Sequence, residues 1–589
     1  MRTALALTHF CAFLWALSCF ALFTAGQQLQ NTMYVDSEYR GTISNGEKET
    51  PYTTFESAFE KACSQNSPLD GDQTRLIVFA LRMTPYSITS QLSYSNCGAI
   101  KLQISQELEE SQVRVIFTAP LNLDNVSLTF ERFEFSVSNL AAVPSSGLLQ
   151  ASNSTLVFSN CTFRAASSNI RDFLSIVQTN LIVNSSKFYR SLNSLGNVMR
   201  RSQATFDGLD IYFEDDPYNS LFRCLDEAPE IPTQSSIKAS NIRIMPNPDS
   251  KNSSKLPGNI FAIDNTNFEL EKITISSVNG AFFNSTNAGH HTVVASMNKP
   301  NLTLHIRDFT LNSSTPLFPF IRILAKENAE NLLMSIDSIK IVRSETSYYK
   351  ELLSTHYGLF QVKTESENTK IYISNVSILD SQEFPKFSVP LYDFTHLFFL
   401  NLLPTTSVKI SNVTIHNNAF FTNVFYVKNS LNALIIENVT ISSSILYSKF
   451  FLLETKLPFP HDSWLLGEQN WVLNSLKIDD VQSHHDFISL RLDPEGPSPS
   501  PYQRDAIYLN VTDIEFDNFS LVESSDDTFS VFRLTDIGLR VYSSSFRSVS
   551  LNRGMFVSIE ESMVPVLFKN SRFDNFLGDY ASARFFLKF

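Results

Sequence analysis

"IYISNVSI", Ile371 to Ile378, begins as a β-strand and then breaks its own alternation. Ile371 and Ile373 share one face, which should next receive Asn375 and Ser377, yet the following apolar pair is Val376 and Ile378. Side chains along a strand alternate faces with period two. A change of phase by one residue therefore marks a corner at Asn375, with both halves aiming their apolar residues into one interior.

The same slip recurs along the chain. It is found in "LTFERFEF" from Leu128, "LVFSNCTF" from Leu156, "VKISNVTI" from Val408, "LIIENVTI" from Leu434 and "VLFKNSRF" from Val566. In all there are fifteen copies, 23 to 38 residues apart. Asn holds the bend place at Asn160, Asn241, Asn375, Asn412, Asn438 and Asn570, Asp at 308 and 513, and Gly at 208. These residue types tolerate a left-handed backbone. Between copies lies a further short strand, as in "FIRIL" from Phe320, "VFYV" from Val424 and "FSVFRL" from Phe529. Short strands repeating every 20 to 50 residues indicate a solenoid. An ordinary multi-sheet protein would need the slips to be coincidental, and a propeller would need tight hairpin signals, of which few are present.

On these residues the chain resembles the right-handed parallel β-helix, the pectin-lyase-like superfold, over essentially its whole mature length. "YVDSEYRGTISNGEKETPYTTFESAFEKA", Tyr34 to Ala62, is similar to the entry segment of such proteins. The resemblance implies an all-β solenoid of about 15 or more coils, with a short helix over Phe55 to Ala62 plugging its open end. First coils are expected at "RLIVFAL", "IKLQI" and "VRVIF". The expected division is residues 1–26 as a secretory signal, 27–120 as cap and first coils, and 121–589 as repeats. "ARFFLKF" at the C-terminus reads as the first strand of an unfinished coil, so the chain is expected to be truncated or covered there.

Composition restricts function. Of 589 residues, 50 are Phe and 17 are Gly, and the formal charge is −13. An acidic chain without Lys and Arg clusters excludes nucleic acid as a partner. The apolar run "FCAFLWALSCFALF" after Arg2 predicts export to the extracellular space or cell surface, with membrane contact only through an uncleaved signal or a missing C-terminal anchor. Cys63, Cys97, Cys161 and Cys224 are then disulfide candidates. Four cysteines allow three pairings. Cys63 with Cys97 is favoured because both precede the repeats, and no CxxC spacing suggests zinc.

The superfold hosts lyases, polygalacturonases and pectin esterases, yet the blocks that mark those families ("NTD", "GDD", "GHG" and "RIK"; "WIDH" and "RxPxxR"; "QDTL" and "LYW") are all missing. Asp215-Asp216, Asp479-Asp480 and Asp526-Asp527 read as turn residues, and His290-His291 and His484-His485-Asp486 as solvated loops. Adjacent strand residues face opposite ways and seldom chelate one ion. No catalytic residue, metal site or cofactor is expected. The favoured expectation is a non-catalytic, glycosylated scaffold for adhesion or ligand binding, with glycans or other surface proteins as partners. The alternative is a divergent carbohydrate-active protein: a lyase or hydrolase relative, or a glycan binder with a groove lined by Tyr348, Tyr349 and Trp464. Thirteen N-x-S/T sequons occur. Asn125, Asn252, Asn284, Asn312 and Asn518 are the glycosylation candidates, whereas bend asparagines that stacked inward as a ladder would resist modification.

Overall fold

The computed structural model describes residues 32–588 with interruptions, the longest intervals outside it being 65–73, 138–146, 226–234, 247–260, 277–292, 347–356, 384–394, 457–468 and 494–506. The signal segment, Asn252, Asn284, Tyr348, Tyr349, Trp464, His290-His291, Asp215-Asp216 and Asp526-Asp527 lie outside the described residues.

Among the described residues forty-four strands join into one continuous hydrogen-bonded network. Each copy of the opening pattern lies on the next. Ile371 pairs in parallel with Met334 on one side and Val408 on the other, and Val408 with Leu434. These leading halves build a first sheet. Beyond the corner the second halves do the same, Ile378 pairing with Ile341 and Ile415. The intervening strands form a third sheet, running Phe360, Phe398, Phe425, Phe451 and Ile488 in register. Three parallel ribbons wound around one axis make the chain a parallel β-helix.

Inward residues of the three sheets merge into a single apolar column from Met33 to Val557. A coil cannot bury this surface alone; stacking buries it at roughly 1.5–3 kcal/mol per large side chain. Phenylalanines stack along the axis, with Phe398 4.9 Å from Phe360 and 5.0 Å from Phe425, the rings within 16° of parallel. The abundant Phe thus fills a column whose period matches the rung spacing of about 4.7–4.9 Å.

The corners adopt the left-handed conformation. Asn160, Asn241, Asn375, Asn412, Asn438 and Asn570 have φ of 54–56°, and Asp308, Asp513 and Gly208 are also positive. The remaining copies turn in the same way with less permissive residues, including Arg132 at 64° and Lys272 at 56°. The left-handed backbone costs an L-residue about 1–2 kcal/mol, so packing on either side enforces these two corners. The bend asparagines do not stack inward. All six side chains are exposed, because a left-handed residue between two inward-facing halves points its Cβ away from the column.

The residue after a left-handed corner points in. Ser154, Thr179 and Ser202 are buried hydroxyls that each donate to the carbonyl two residues back, at 2.6, 2.9 and 2.8 Å. Each also accepts a backbone N–H from a neighbouring coil: Val126 donates to Ser154, Ser154 to Thr179 and Thr179 to Ser202. Corners interrupt the sheet ladder, and a buried backbone group without a partner is costly. The hydroxyl column supplies the missing partners.

At the N-terminal end, helix α1 (Phe55–Ser64) buries Phe55, Ala58, Phe59 and Ala62, one stripe at helical spacing. Thr54 caps it by accepting the Ser57 N–H at 3.1 Å. Phe59 packs on Tyr94 with centroids 4.8 Å apart, and a Cys63–Cys97 disulfide ties the helix to the first coils. Cys161 and Cys224 correct the four-cysteine expectation. Both are buried free thiols, Cys161 directed at the Ser159 carbonyl at 3.4 Å and Cys224 against the Thr266 hydroxyl at 3.3 Å; Cys161 sits at a corner before strand Thr162–Ala165 and Cys224 within third-sheet strand Phe222–Leu225. No helix among the described residues is long and apolar enough to cross a membrane.

Candidate functional site

A concave groove of about 470 Å³ opens on the outer face of the third sheet, over the N-terminal coils. Strand alternation builds it. In Leu92–Ser95, Leu121–Asp124 and Leu149–Ser152 the apolar residues turn inward and the polar ones outward, and in Leu174–Val177 Leu174 and Ile176 turn inward while Ser175 and Val177 turn outward. Register then aligns the outward residues in two rows along the axis: Ser93, Asn122, Gln150 and Ser175 in one, and Ser95, Asp124, Ser152, Val177 and Arg200 in the other.

Most of these side chains are short and polar, and Asn122 and Ser152 are held to the preceding coil. Asn122 Nδ2 donates to Ser93 Oγ at 3.0 Å, and Gln150 Nε2 to the Gly147 carbonyl at 3.1 Å. Asp124 Oδ1 accepts from Ser152 Oγ at 2.7 Å and Asn153 Nδ2 at 3.2 Å, which holds its carboxyl below the ordinary value. Its second carboxylate oxygen accepts no hydrogen bond among the described residues. The Arg200 side chain is exposed, and its guanidinium makes no hydrogen bond among the described residues. Three rungs separate it from Asp124, about 14 Å at the rung spacing. Among the described residues the lining carries one carboxylate, Asp124, and so does not show the paired carboxylates of glycoside hydrolysis.

The Asp124 arrangement recurs outside the groove. Asp207 Oδ1 accepts from Ser240 Oγ at 2.7 Å and Asn241 Nδ2 at 2.6 Å, and Asp337 Oδ1 from Ser374 Oγ at 2.5 Å and Asn375 Nδ2 at 2.7 Å. In each case an Asp just before one corner clamps the Ser-Asn pair one coil on. Asp124 is therefore a coil clamp first, and its place in the groove is additional.

A second polar cluster corrects the expectation for His484-His485-Asp486. These residues are not a solvated loop. His484 stacks on Tyr447 and His485 on Phe529, with centroids 4.6 and 4.8 Å apart. Asp486 is 1% exposed and accepts the Ser530 N–H at 2.8 Å, with Arg533 Nη1 3.4 Å from its other oxygen. Burial pushes Asp486 up, and burial followed by Lys449 and Arg533 lowers His485 to about 3. His485 is thus neutral, with Nδ1 accepting the Asp486 N–H at 2.8 Å. The cluster satisfies the backbone where the third-sheet strand begins. Asn423 does likewise two coils earlier, accepting the Lys449 N–H at 3.0 Å. Among the described residues no three His, Cys, Asp or Glu side chains are placed to hold a metal ion.

Asp480 is a left-handed corner with φ 54°. Among the glycosylation candidates, Asn125 and Asn518 are exposed left-handed corners, with φ of 52° and 49°. Asn312 is the exposed end of strand Thr303–Asn312, paired with Ser276 and Val342. Sequence reasoning missed the groove, because its rows join residues about one coil apart. The signal that could have found it is the run of polar residues at the outward places of successive third-sheet strands, Ser93 and Ser95, Asn122 and Asp124, Gln150 and Ser152, then Ser175 and Arg200, broken in the second row by Val177.

No protein-family model and no curated protein match this chain. Solved structures similar to it include a periplasmic alginate epimerase, at 9% identity over 78% of this chain and 77% of that one, with a TM-score of 0.21. They also include the catalytic unit of an α-1,3-glucanase from Streptomyces thermodiastaticus (10% identity; 85% and 69% covered; TM-score 0.22) and an exopolygalacturonase from Yersinia enterocolitica (9% identity; 94% and 79% covered; TM-score 0.20). These structures correct the expectation of a non-catalytic chain. Motif blocks belong to single enzyme families, while one fold carries many site chemistries, so the missing blocks do not exclude catalysis. At these identities and scores the likeness itself assigns no activity to this chain.

Proposed function

We propose that this chain is a carbohydrate-active protein that takes an extended glycan along the third-sheet groove. The observation that supports this reading is the pair of register-aligned outward rows, polar from Ser93 to Ser175 and, apart from Val177, from Ser95 to Arg200. Hydroxyl-rich ligands need many short, fixed donors and acceptors in a line, and the rungs repeat at about 4.7–4.9 Å, close to the length of one sugar ring. Coil-to-coil hydrogen bonds fix Asn122 on Ser93 and Ser152 on Asp124 before a ligand arrives, which lowers the ordering cost of binding there.

The test is to incubate the purified chain with acidic and neutral polysaccharides, measuring retention in affinity electrophoresis and new chain ends. At least one polysaccharide should be retained or cleaved. Arg200→Ala should weaken retention about 10- to 100-fold, the equivalent of a charged hydrogen bond of about 1.5–3 kcal/mol. Neither retention nor cleavage across the panel, or an Arg200→Ala variant that behaves as the parent, defeats the reading.

A further inference from the structure

Asn375, Asn412 and Asn438 form a ladder on the corner ridge between the first and second sheets. Asn375 Nδ2 donates to Asp337 Oδ1 at 2.7 Å, Asn412 Nδ2 to Asn375 Oδ1 at 3.0 Å, and Asn438 Nδ2 to Asn412 Oδ1 at 3.1 Å. All three side chains are exposed. Each opens a sequon, completed by Ser377, Thr414 and Thr440, which lie in register on the outer face of the second sheet.

We propose that this ridge is an N-glycan attachment site. A side-chain amide carries two N–H bonds, and each rung of the ladder uses one. The other has no acceptor among the described residues, and the side chain is exposed, so a sugar can replace it while the coil-to-coil hydrogen bond survives. In the transfer, Nδ2 attacks the anomeric carbon of a lipid-linked oligosaccharide pyrophosphate. The carbon–oxygen bond to the pyrophosphate breaks, the lipid pyrophosphate leaves with the electron pair, and the displaced amide proton passes to solvent. A sequon modified on the nascent chain is compatible with folding only where the substituent ends up outside the column. The left-handed corner meets that condition, because it turns the side chain away from the core on every rung.

The inference is independent of the groove and is tested on the full chain, carried into a eukaryotic secretory pathway by its own or a heterologous leader. Glycopeptide mapping should find sugar on at least one of Asn375, Asn412 and Asn438. Blocking the ladder sequons with Ser377→Ala, Thr414→Ala and Thr440→Ala should remove the mass of every ladder glycan and leave the asparagine amides intact. Trimming the glycans to the first sugar should leave the thermal midpoint unchanged. Enzymatic removal that converts the asparagines to aspartates should lower it, because the rung donors are lost. The proposal is overturned if all three asparagines are bare in the secreted protein, whether or not other sequons carry sugar. It is also overturned if the sugar-bearing form melts below the triple variant, since the glycan would then be breaking the ladder.

Discussion

Replacing Phe135 by Ala tests whether the molecule behaves as a stacked array. Phe135 is fully buried, and its ring lies 5.2 Å from those of Phe130 and Phe163, 5.6 Å from Phe158 and Phe173, and 6.1 Å from Phe117. These rings belong to consecutive coils, so the substitution opens a hole shared among neighbours. Truncating a buried Phe costs about 3–5 kcal/mol, and the several lost ring pairs place this site at the upper end. In a solenoid each coil touches only its neighbours, so the loss stays local. Hydrogen exchange followed by mass spectrometry reads this directly. Amides of strands from Val113–Phe117 to Lys187–Tyr189 should exchange roughly a hundred- to several-thousand-fold faster, at about 1.4 kcal/mol per tenfold change. Amides in Ser407–His416 and Gln469–Ser483 should keep their rates. An equal loss of protection along the whole chain would refute the argument, since it would mean one cooperative unit; so would no change around Phe135.

Asn412→Val should destabilise by about 1–2 kcal/mol through backbone strain alone, with a further loss from two ladder bonds. Asn412→Gly should recover the strain component, and urea denaturation compares the two. Asp124, Asp207 and Asp337 have carboxyl groups held below their ordinary value. In Asp124 and Asp207 the hydrogen bonds dominate. In Asp337 burial pushes upward, but hydrogen bonds from Ser374, Asn375 and Ser338 outweigh it. A depressed folded-state value gives stability that is full above the unfolded value and is lost as pH falls through the folded one. Circular dichroism should therefore show softening only below about pH 4, and Asp207→Asn should flatten that acid limb. Burial pushes the Cys161 thiol up to about 12. Iodoacetamide at neutral pH should leave Cys161 untouched in the native protein and modify it after denaturation, with peptide mapping showing Cys63 joined to Cys97.

The winding of the chain is legible in eight consecutive residues. "IYISNVSI" carries both the alternation and its slip, and alternation is a local consequence of the strand backbone. Asn, Asp and Gly at the slip announce left-handed corners because those side chains permit them. Arg132 and Lys272 announce nothing, since their corners are imposed by the coils on either side. The helix over Phe55–Ser64 is likewise written in its own apolar stripe. Tertiary structure alone decided the rest. Whether bend asparagines face the column or the solvent depends on how two halves close around a corner. The burial of His485 and Asp486 depends on Phe529, Ser530 and Arg533, more than forty residues away. The groove is a property of no single segment: Ser95, Asp124, Ser152 and Arg200 become neighbours only when stacked coils bring one outward residue from each turn into line.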